Sequence, residues 1–315
     1  MLLCAPAGGD LLFDESLPEQ GRNFTTKMWN AFKLVKTWEI ADIAQPQHSA
    51  LALTWFENVI NKAKETLNTQ FEQYRISEAL MTVYTTFRDE FSSWLLEIIK
   101  PAYGQPIDRK TYEKTLDLFA ELLQLLHPFM PFITEEIWQN LKERKTGESI
   151  MVSVINNDTP YDENLLKEFE FVKEIIVGIR NIRKQNNIAF KDRLELKVKK
   201  NDRYPAAFAS IVEKMGNISA TETVTEAVKG AWSFIVDTVE YFIPGTGNVD
   251  TAEVKAKLEE ELKYTRGFLK SVIAKLSNER FVSGAPEQVV ANERKKQADA
   301  EAKIAAIETQ LAELK

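Results

Sequence analysis

The sequence predicts a mainly α-helical chain: a helical bundle, then a small α/β module, then an antiparallel two-helix coiled coil. Three observations carry this expectation. Apolar residues recur at helical spacing through the first half of the chain. The pattern then switches to alternation at Leu194-Glu195-Leu196-Lys197-Val198. From Asp250 onward there are two heptad seams separated by one breaker. The expected boundaries are a connecting segment over 1–16, the bundle over 17–175, the α/β junction module over 176–247 and the arm over 250–315.

Residues 1–16 contain Pro6, Gly8 and Gly9 and lack any periodic pattern. A helix is expected from Pro18, with Phe24, Met28, Phe32 and Val35 on one stripe, widened by Trp29 and Ala31. Pro46 opens a second helix, whose apolar face includes Leu51, Leu53, Trp55, Phe56, Val59, Ile60 and Ala63. A third is expected from about Thr69 to Lys100, stopping before Pro101. Asp108 can cap a fourth helix that runs through Leu126. His127-Pro128-Phe129-Met130-Pro131 breaks it, and a fifth follows to about Leu141. Five helices with short connections can bury one core.

After Gly147, the stretch Ser149 to Ile155 alternates weakly and reads as extended. A helix is expected from about Asp162 to Gln185, a strand over Leu194–Val198, a helix over Tyr204–Met215, an extended piece over Ile218–Val224 and alternation again from Ala231 to Phe242. Pro244-Gly245-Thr246-Gly247 is the turn before the arm.

In the arm, Leu258, Leu262, Thr265, Leu269, Val272 and Leu276 step by 4, 3, 4, 3, 4. Breakers follow at Ser277-Asn278 and Ser283-Gly284-Ala285-Pro286. The second seam is Val290, Glu293, Gln297, Ala300, Ile304, Ile307, Leu311 and Leu314. Two such seams fold back as a hairpin. At about 1.5 Å per residue each arm reaches on the order of 40 Å.

Net charge is −7, yet it is segregated. Lys/Arg and Asp/Glu balance over 250–315, so the whole excess of acid lies before the arm. Between Lys263 and Lys296 there are eight basic residues against three acids; residues 20–38 hold four basic residues and no acid; 173–200 hold nine against three. Three cationic islands in an acidic chain point to a polyanion better than net charge does. The 44% hydrophobic content suits a folded soluble protein, and no run of about 18 apolar residues predicts a membrane span. The N-terminus, Met1-Leu2-Leu3-Cys4-Ala5-Pro6, lacks the basic start of a signal peptide. The single cysteine, Cys4, excludes an internal disulfide and a Cys-rich zinc site, and fits a reducing compartment.

No catalytic constellation is found: no G-x-x-x-x-G-K-[ST], no G-x-G-x-x-G and no H-E-x-x-H. Glu135-Glu136 fits a helix N-terminus, where acids complement the dipole. His127 reads as a packing or turn residue beside its Pro.

Gly21-Arg22-Asn23-Phe24-Thr25-Thr26-Lys27-Met28-Trp29-Asn30-Ala31 resembles the opening of the anticodon-binding bundle of class I valyl-tRNA synthetases. The stretch from His127-Pro128-Phe129-Met130-Pro131-Phe132 through Trp138 is similar to the most recognisable segment of that domain. Lys275 through Val290 resembles the hinge of the family's C-terminal coiled-coil arm. The family's ATP-site signatures, H-I-G-H and K-M-S-K-S, are absent, and Ala5-Pro6-Ala7-Gly8-Gly9-Asp10 looks like the sequence just downstream of the second. The resemblance therefore implies the C-terminal third of a synthetase, without catalytic residues or an editing domain. It implies no ATP, zinc or magnesium in this portion, ATP being a substrate of the parent enzyme, and no aminoacylation by the fragment alone.

What the resemblance implies further is a division of labour. The bundle would read the valine anticodon through Arg22, Asn23, Lys27 and Asn30: Arg and Asn can hydrogen-bond base edges, and Lys can hold phosphate. The arm would lie along the outer corner of the tRNA, through Lys270, Lys275, Arg294 and Lys296. Arg180, Arg183 and Lys184 form a third candidate group at the junction. The expected partners are tRNA(Val) and the catalytic and editing domains of the same chain, in a cytoplasmic monomer with no membrane contact. Two other readings stand beside it: the equivalent region of another class I synthetase, and a coiled-coil module that dimerises through its seam.

Overall fold

The computed structural model describes residues 16–155, 160–201, 203–245, 251–278, 281, 284 and 287–313. The expectations for residues 1–15, Cys4 included, and for Arg280 and most of the arm's hinge lie outside these. The chain divides into two compact units, 1–170 and 171–315.

In the first unit, α1 (Ser16–Lys36) starts two residues earlier than Pro18 and buries the expected stripe, Phe24, Met28, Phe32 and Val35; of the two widening positions Ala31 is buried and Trp29 only half-buried. Burying each of the Phe, Met and Val side chains is worth about 2 kcal/mol before the entropy of ordering is charged against it. A short parallel bridge, β1 (Ile40–Ala41) with β2 (Ile107–Asp108), was not legible from pattern. Helix α2 (Gln47–Glu72) follows Pro46 and buries Trp55, Phe56 and Ile60 completely. It also buries Lys64, whose ammonium is paired with Glu121.

The expected boundary near Thr69 shifts. Nothing between Asn61 and Glu72 can break a helix, so α2 runs on, and the reversal comes where Tyr74 takes a left-handed conformation (φ 57°). Helix α3 (Ile76–Thr85) then passes into a π-helical stretch, Thr86–Leu95, and back to α4 (Leu96–Ile99). The hydroxyls of Thr85 and Thr86 donate to the Met81 and Thr82 carbonyls (both 2.8 Å) at its entry, and Ser93 Oγ donates to Arg88 O (2.8 Å) inside it. Such back-bonding competes with the helical ladder. The wide turns present Phe87 and Phe91 to Phe119, with centroids 5.9 and 4.8 Å away.

Helix α5 (Arg109–Leu126) is capped as expected, Asp108 Oδ1 accepting from Thr111 N at 2.8 Å. Helix α6 (Pro131–Leu141) follows the Pro-rich break, where His127 Nδ1 lies 2.8 Å from Thr134 Oγ1. Ser149–Ile155 is extended only in part: Ile150–Val152 forms a single 3₁₀ turn between extended Ser149 and Ser153, and Glu135 of α6 accepts from Ser149 Oγ and Ile150 N and holds the turn in place.

Helix α7 (Glu163–Gln185) begins under Asp162, whose Oδ1 accepts from Asn164 N and Leu165 N. The division between the units falls inside it, shortly before the expected boundary at 175. Its first turns serve the bundle, Phe169 stacking on Trp55 at 3.9 Å.

In the second unit, β3 (Leu194–Lys199), α8 (Ala209–Gly216) and β4 (Ile218–Val224) make a parallel crossover. The stretch 231–242, read as one alternating run, is two strands, β5 (Ala231–Val236) and β6 (Val239–Pro244), joined at Asp237 (φ 53°). Asp tolerates that conformation, which a two-residue hairpin loop requires. Sheet order is β4-β3-β6-β5. Gly178 of α7 lets the helix lie against Phe234; a Cβ there would fall 2.3 Å from that ring. Helices α9 (Thr251–Leu276) and α10 (Glu287–Glu313) form the arm. The ion pairs Arg266–Glu308 (2.5 Å) and Lys275–Glu293 (3.7 Å) show them antiparallel. The predicted seam is buried at Thr265, Val272, Val290, Glu293, Ala300 and Ile307.

Candidate nucleic-acid interface

On α1, Asn23, Lys27 and Asn30 are spaced four and three apart, so they share one flank of the helix beside its buried stripe. Asn23 and Asn30 are exposed and Lys27 is half-buried. Arg22 stands one step around, exposed, 3.8 Å from Glu19. The roll of α1 is set by Phe24, whose ring packs 4.6 Å from Tyr84 and 5.5 Å edge-on to Phe87. The polar flank is thus held in a fixed orientation by the core beneath it.

A residue not singled out from sequence stands beside this flank. Arg88 lies over the Tyr84 ring at 5.0 Å and clasps Asp89 with two bonds, 2.7 and 2.8 Å. The Asp89 hydrogen bond, then that to Tyr84, raises the guanidinium pKa further. The Tyr84/Arg88 spacing of four was the available signal. The surface groove of this unit, by contrast, carries both signs: Lys62 in it is paired with Glu163 at 3.0 Å, and Asp89 and Glu90 share the wall.

At the junction, Arg180 and Lys184 are one turn apart and both exposed. Arg183 is a correction. It is 5% exposed, and its guanidinium donates to Gly216 O (2.9 and 3.2 Å), Asn217 O (3.2 Å), Ala189 O (3.0 Å) and Asp192 O (2.9 Å). Burial lowers its pKa, with Asp192 opposing. The side chain satisfies carbonyls at the C-terminal end of α8, where Asn217 turns left-handed (φ 50°), and it is closed to RNA. That turn lies more than thirty residues downstream, beyond the reach of local pattern.

On the arm, Lys263, Lys270, Arg294 and Lys295 are exposed, and no ion pair is formed by them among the described residues. Lys275 and Lys296 are also exposed but converge on one seam carboxylate, Glu293, at 3.7 and 2.6 Å. The Lys296 hydrogen bond, against burial, holds the Glu293 carboxyl below its ordinary value. Tyr264 and Phe268, one turn apart on α9, are both exposed.

Comparison with known proteins identifies two portions of the chain. The family described as the anticodon-binding domain of tRNA ligase matches residues 54–199, which includes Arg180, Arg183 and Lys184 but not α1. The family described as the valyl tRNA synthetase tRNA binding arm matches residues 250–315. The valine–tRNA ligase of Phocaeicola vulgatus is 57% identical over the whole chain, which covers 36% of that protein. Those of Parabacteroides distasonis and Christiangramia forsetii are 52% and 49% identical with the same coverage. The chain thus spans about a third of the length of the curated relatives it matches. It belongs to the valyl-tRNA synthetase family and corresponds to the C-terminal third of its members.

Proposed function

We propose that this chain is the tRNA-holding portion of a valine–tRNA ligase, which as a whole joins valine to tRNA(Val) with ATP. The observation that supports it best is the pairing, on one chain, of an anticodon-binding domain with a tRNA binding arm, together with exposed cationic and amide side chains on α1 and exposed cations on the arm helices. In this reading Arg22, Asn23, Lys27 and Asn30 read the anticodon, with Arg88 beside them. Lys270 and Arg294 meet the backbone at the outer corner, and Lys275 and Lys296 do so while also neutralising Glu293. Arg180 and Lys184 add phosphate contacts between the two. The chain supplies no chemistry; it orients the acceptor end, and positioning alone is a large part of a ligase's rate. It works as a monomer in the cytoplasm.

Binding to a valine tRNA transcript and to an anticodon-swapped one, at two salt concentrations, tests this. Preference for the valine anticodon with affinity falling as salt rises is expected, since each phosphate contact releases counterions. Equal binding would remove the anticodon role, and no binding at low salt would remove the RNA role. Concentration-dependent mass would favour the dimerising coiled coil.

A further inference from the structure

The segment His127–Trp138, the most recognisable in the sequence, contributes nothing to the RNA contacts above. Its outermost residue, Phe132, is 90% exposed, although it heads a helix whose other face is buried through Thr134, Ile137, Trp138 and Leu141. Beside it lies the 3₁₀ turn of the 149–155 segment, where Met151, Val152 and Val154 are 74%, 73% and 90% exposed.

This exposure is built. Glu135, one turn after Phe132, accepts from Ser149 Oγ at 2.7 Å and Ile150 N at 3.2 Å. Gln124 Nε2 donates to Ser153 Oγ (2.7 Å), and Ser153 Oγ donates to Ile150 O (2.6 Å). Ile150 itself is buried. Burial disfavours the Glu135 charge, but the bonds from Gln139, Ser149 and Ile150 outweigh it and lower the carboxyl's pKa. A turn anchored at both ends therefore presents large apolar side chains to water, a pattern that marks an interaction surface.

RNA is a poor occupant. Residues 127–141 and 148–155 contain no Lys or Arg and three glutamates. Of the three cations in the loop between them, Lys142 is paired with Asp117 and Arg144 lies over the Trp138 ring at 3.5 Å, which leaves this face little with which to hold a phosphate backbone. A protein occupant is indicated by length: the relatives extend well beyond the 315-residue span that matches them, of which this is 36%. We infer that Phe132, Met151, Val152 and Val154 are the face on which the remaining part of the ligase polypeptide docks, fixing the tRNA-holding portion to the body of the enzyme. The inference rests on the ligase reading above, but its readout is separate from RNA affinity.

Hydroxyl-radical oxidation of Met151, read by mass spectrometry, tests it in three samples. These are the 315-residue chain, the chain with valine tRNA transcript, and a chimera in which the remaining part of the Phocaeicola vulgatus valine–tRNA ligase is joined to this chain. Met151 should be reactive in the first two and lose its reactivity in the chimera, to the level of the buried Met28. Persistent reactivity in the chimera, or protection by tRNA alone, would overturn the inference. If the chimera does not charge tRNA, the remaining part is added as a separate polypeptide, and the same protection is required. The double variant Phe132→Ser, Val154→Ser should leave the unfolding midpoint of the 315-residue chain unchanged. A lowered midpoint would mean that these side chains pack within the chain, and would equally overturn it. Protection of Met151 with no tRNA binding by the chain would leave the docking face standing and remove the RNA contacts.

Discussion

The bundle and the arm are both built from helices and both carry candidate RNA contacts, but they hold them by different means. In the bundle, Phe56, Phe87, Phe91 and Phe119 interlock with centroids between 4.8 and 5.9 Å, and the polar flank of α1 rides on that core through Phe24. The arm has a single seam, and near its far end that seam includes a carboxylate, Glu293, held by two surface lysines. A thick apolar core can position a side chain without help from charge. A two-helix seam lacks that depth, so its register depends in part on electrostatics, which the two surface lysines supply.

The largest effect that would sharpen this contrast belongs to the bundle. Phe91→Ala should destabilise the first unit by about 4 kcal/mol in urea unfolding, through lost burial and the cavity left behind. A loss near the size of a surface substitution would mean that the ring cluster is not the frame of α1. Next is the junction: Arg183→Met should cost about 2 kcal/mol by leaving buried carbonyls without donors, yet leave tRNA affinity untouched. A drop in affinity without a drop in stability would restore Arg183 to the interface.

In the arm, stability should depend on pH through Glu293. Its carboxyl is held below the ordinary value of 4.5, so its contribution is complete above that pH and is lost as pH falls through the folded value. Glu293→Gln should flatten that acid limb, as followed by helical circular dichroism; an unchanged limb would show that the two lysines do not hold the seam. The smallest effects are Lys270→Ala and Arg294→Ala. Each should weaken tRNA binding regardless of sequence and reduce the salt slope by about 1, measured by titration across salt. A change in anticodon preference from either would contradict the division between reading and holding.

Much was legible from sequence alone. The buried stripe of α1, the Asp108 cap, the Pro131 helix start and both arm seams follow from spacing, because a helix repeats its face every three to four residues and its ends need defined partners. The resemblance in three ordered segments was equally plain. The cationic islands were found too, since charge segregation survives without knowledge of the fold.

What only the tertiary structure decided are matters of long-range contact. Lys64 is buried because Glu121 meets it from another helix, and Arg183 is closed to RNA because a turn thirty-odd residues downstream presents carbonyls to it. Ile150–Val152 turns within an otherwise extended stretch because Glu135 captures Ser149 and Ile150. The π-helical widening and the left-handed Tyr74 carry no Gly or Pro marker, so the sequence pattern does not announce them. Periodicity reports which face of an element is apolar; it does not report what that face, or an isolated charge, will meet.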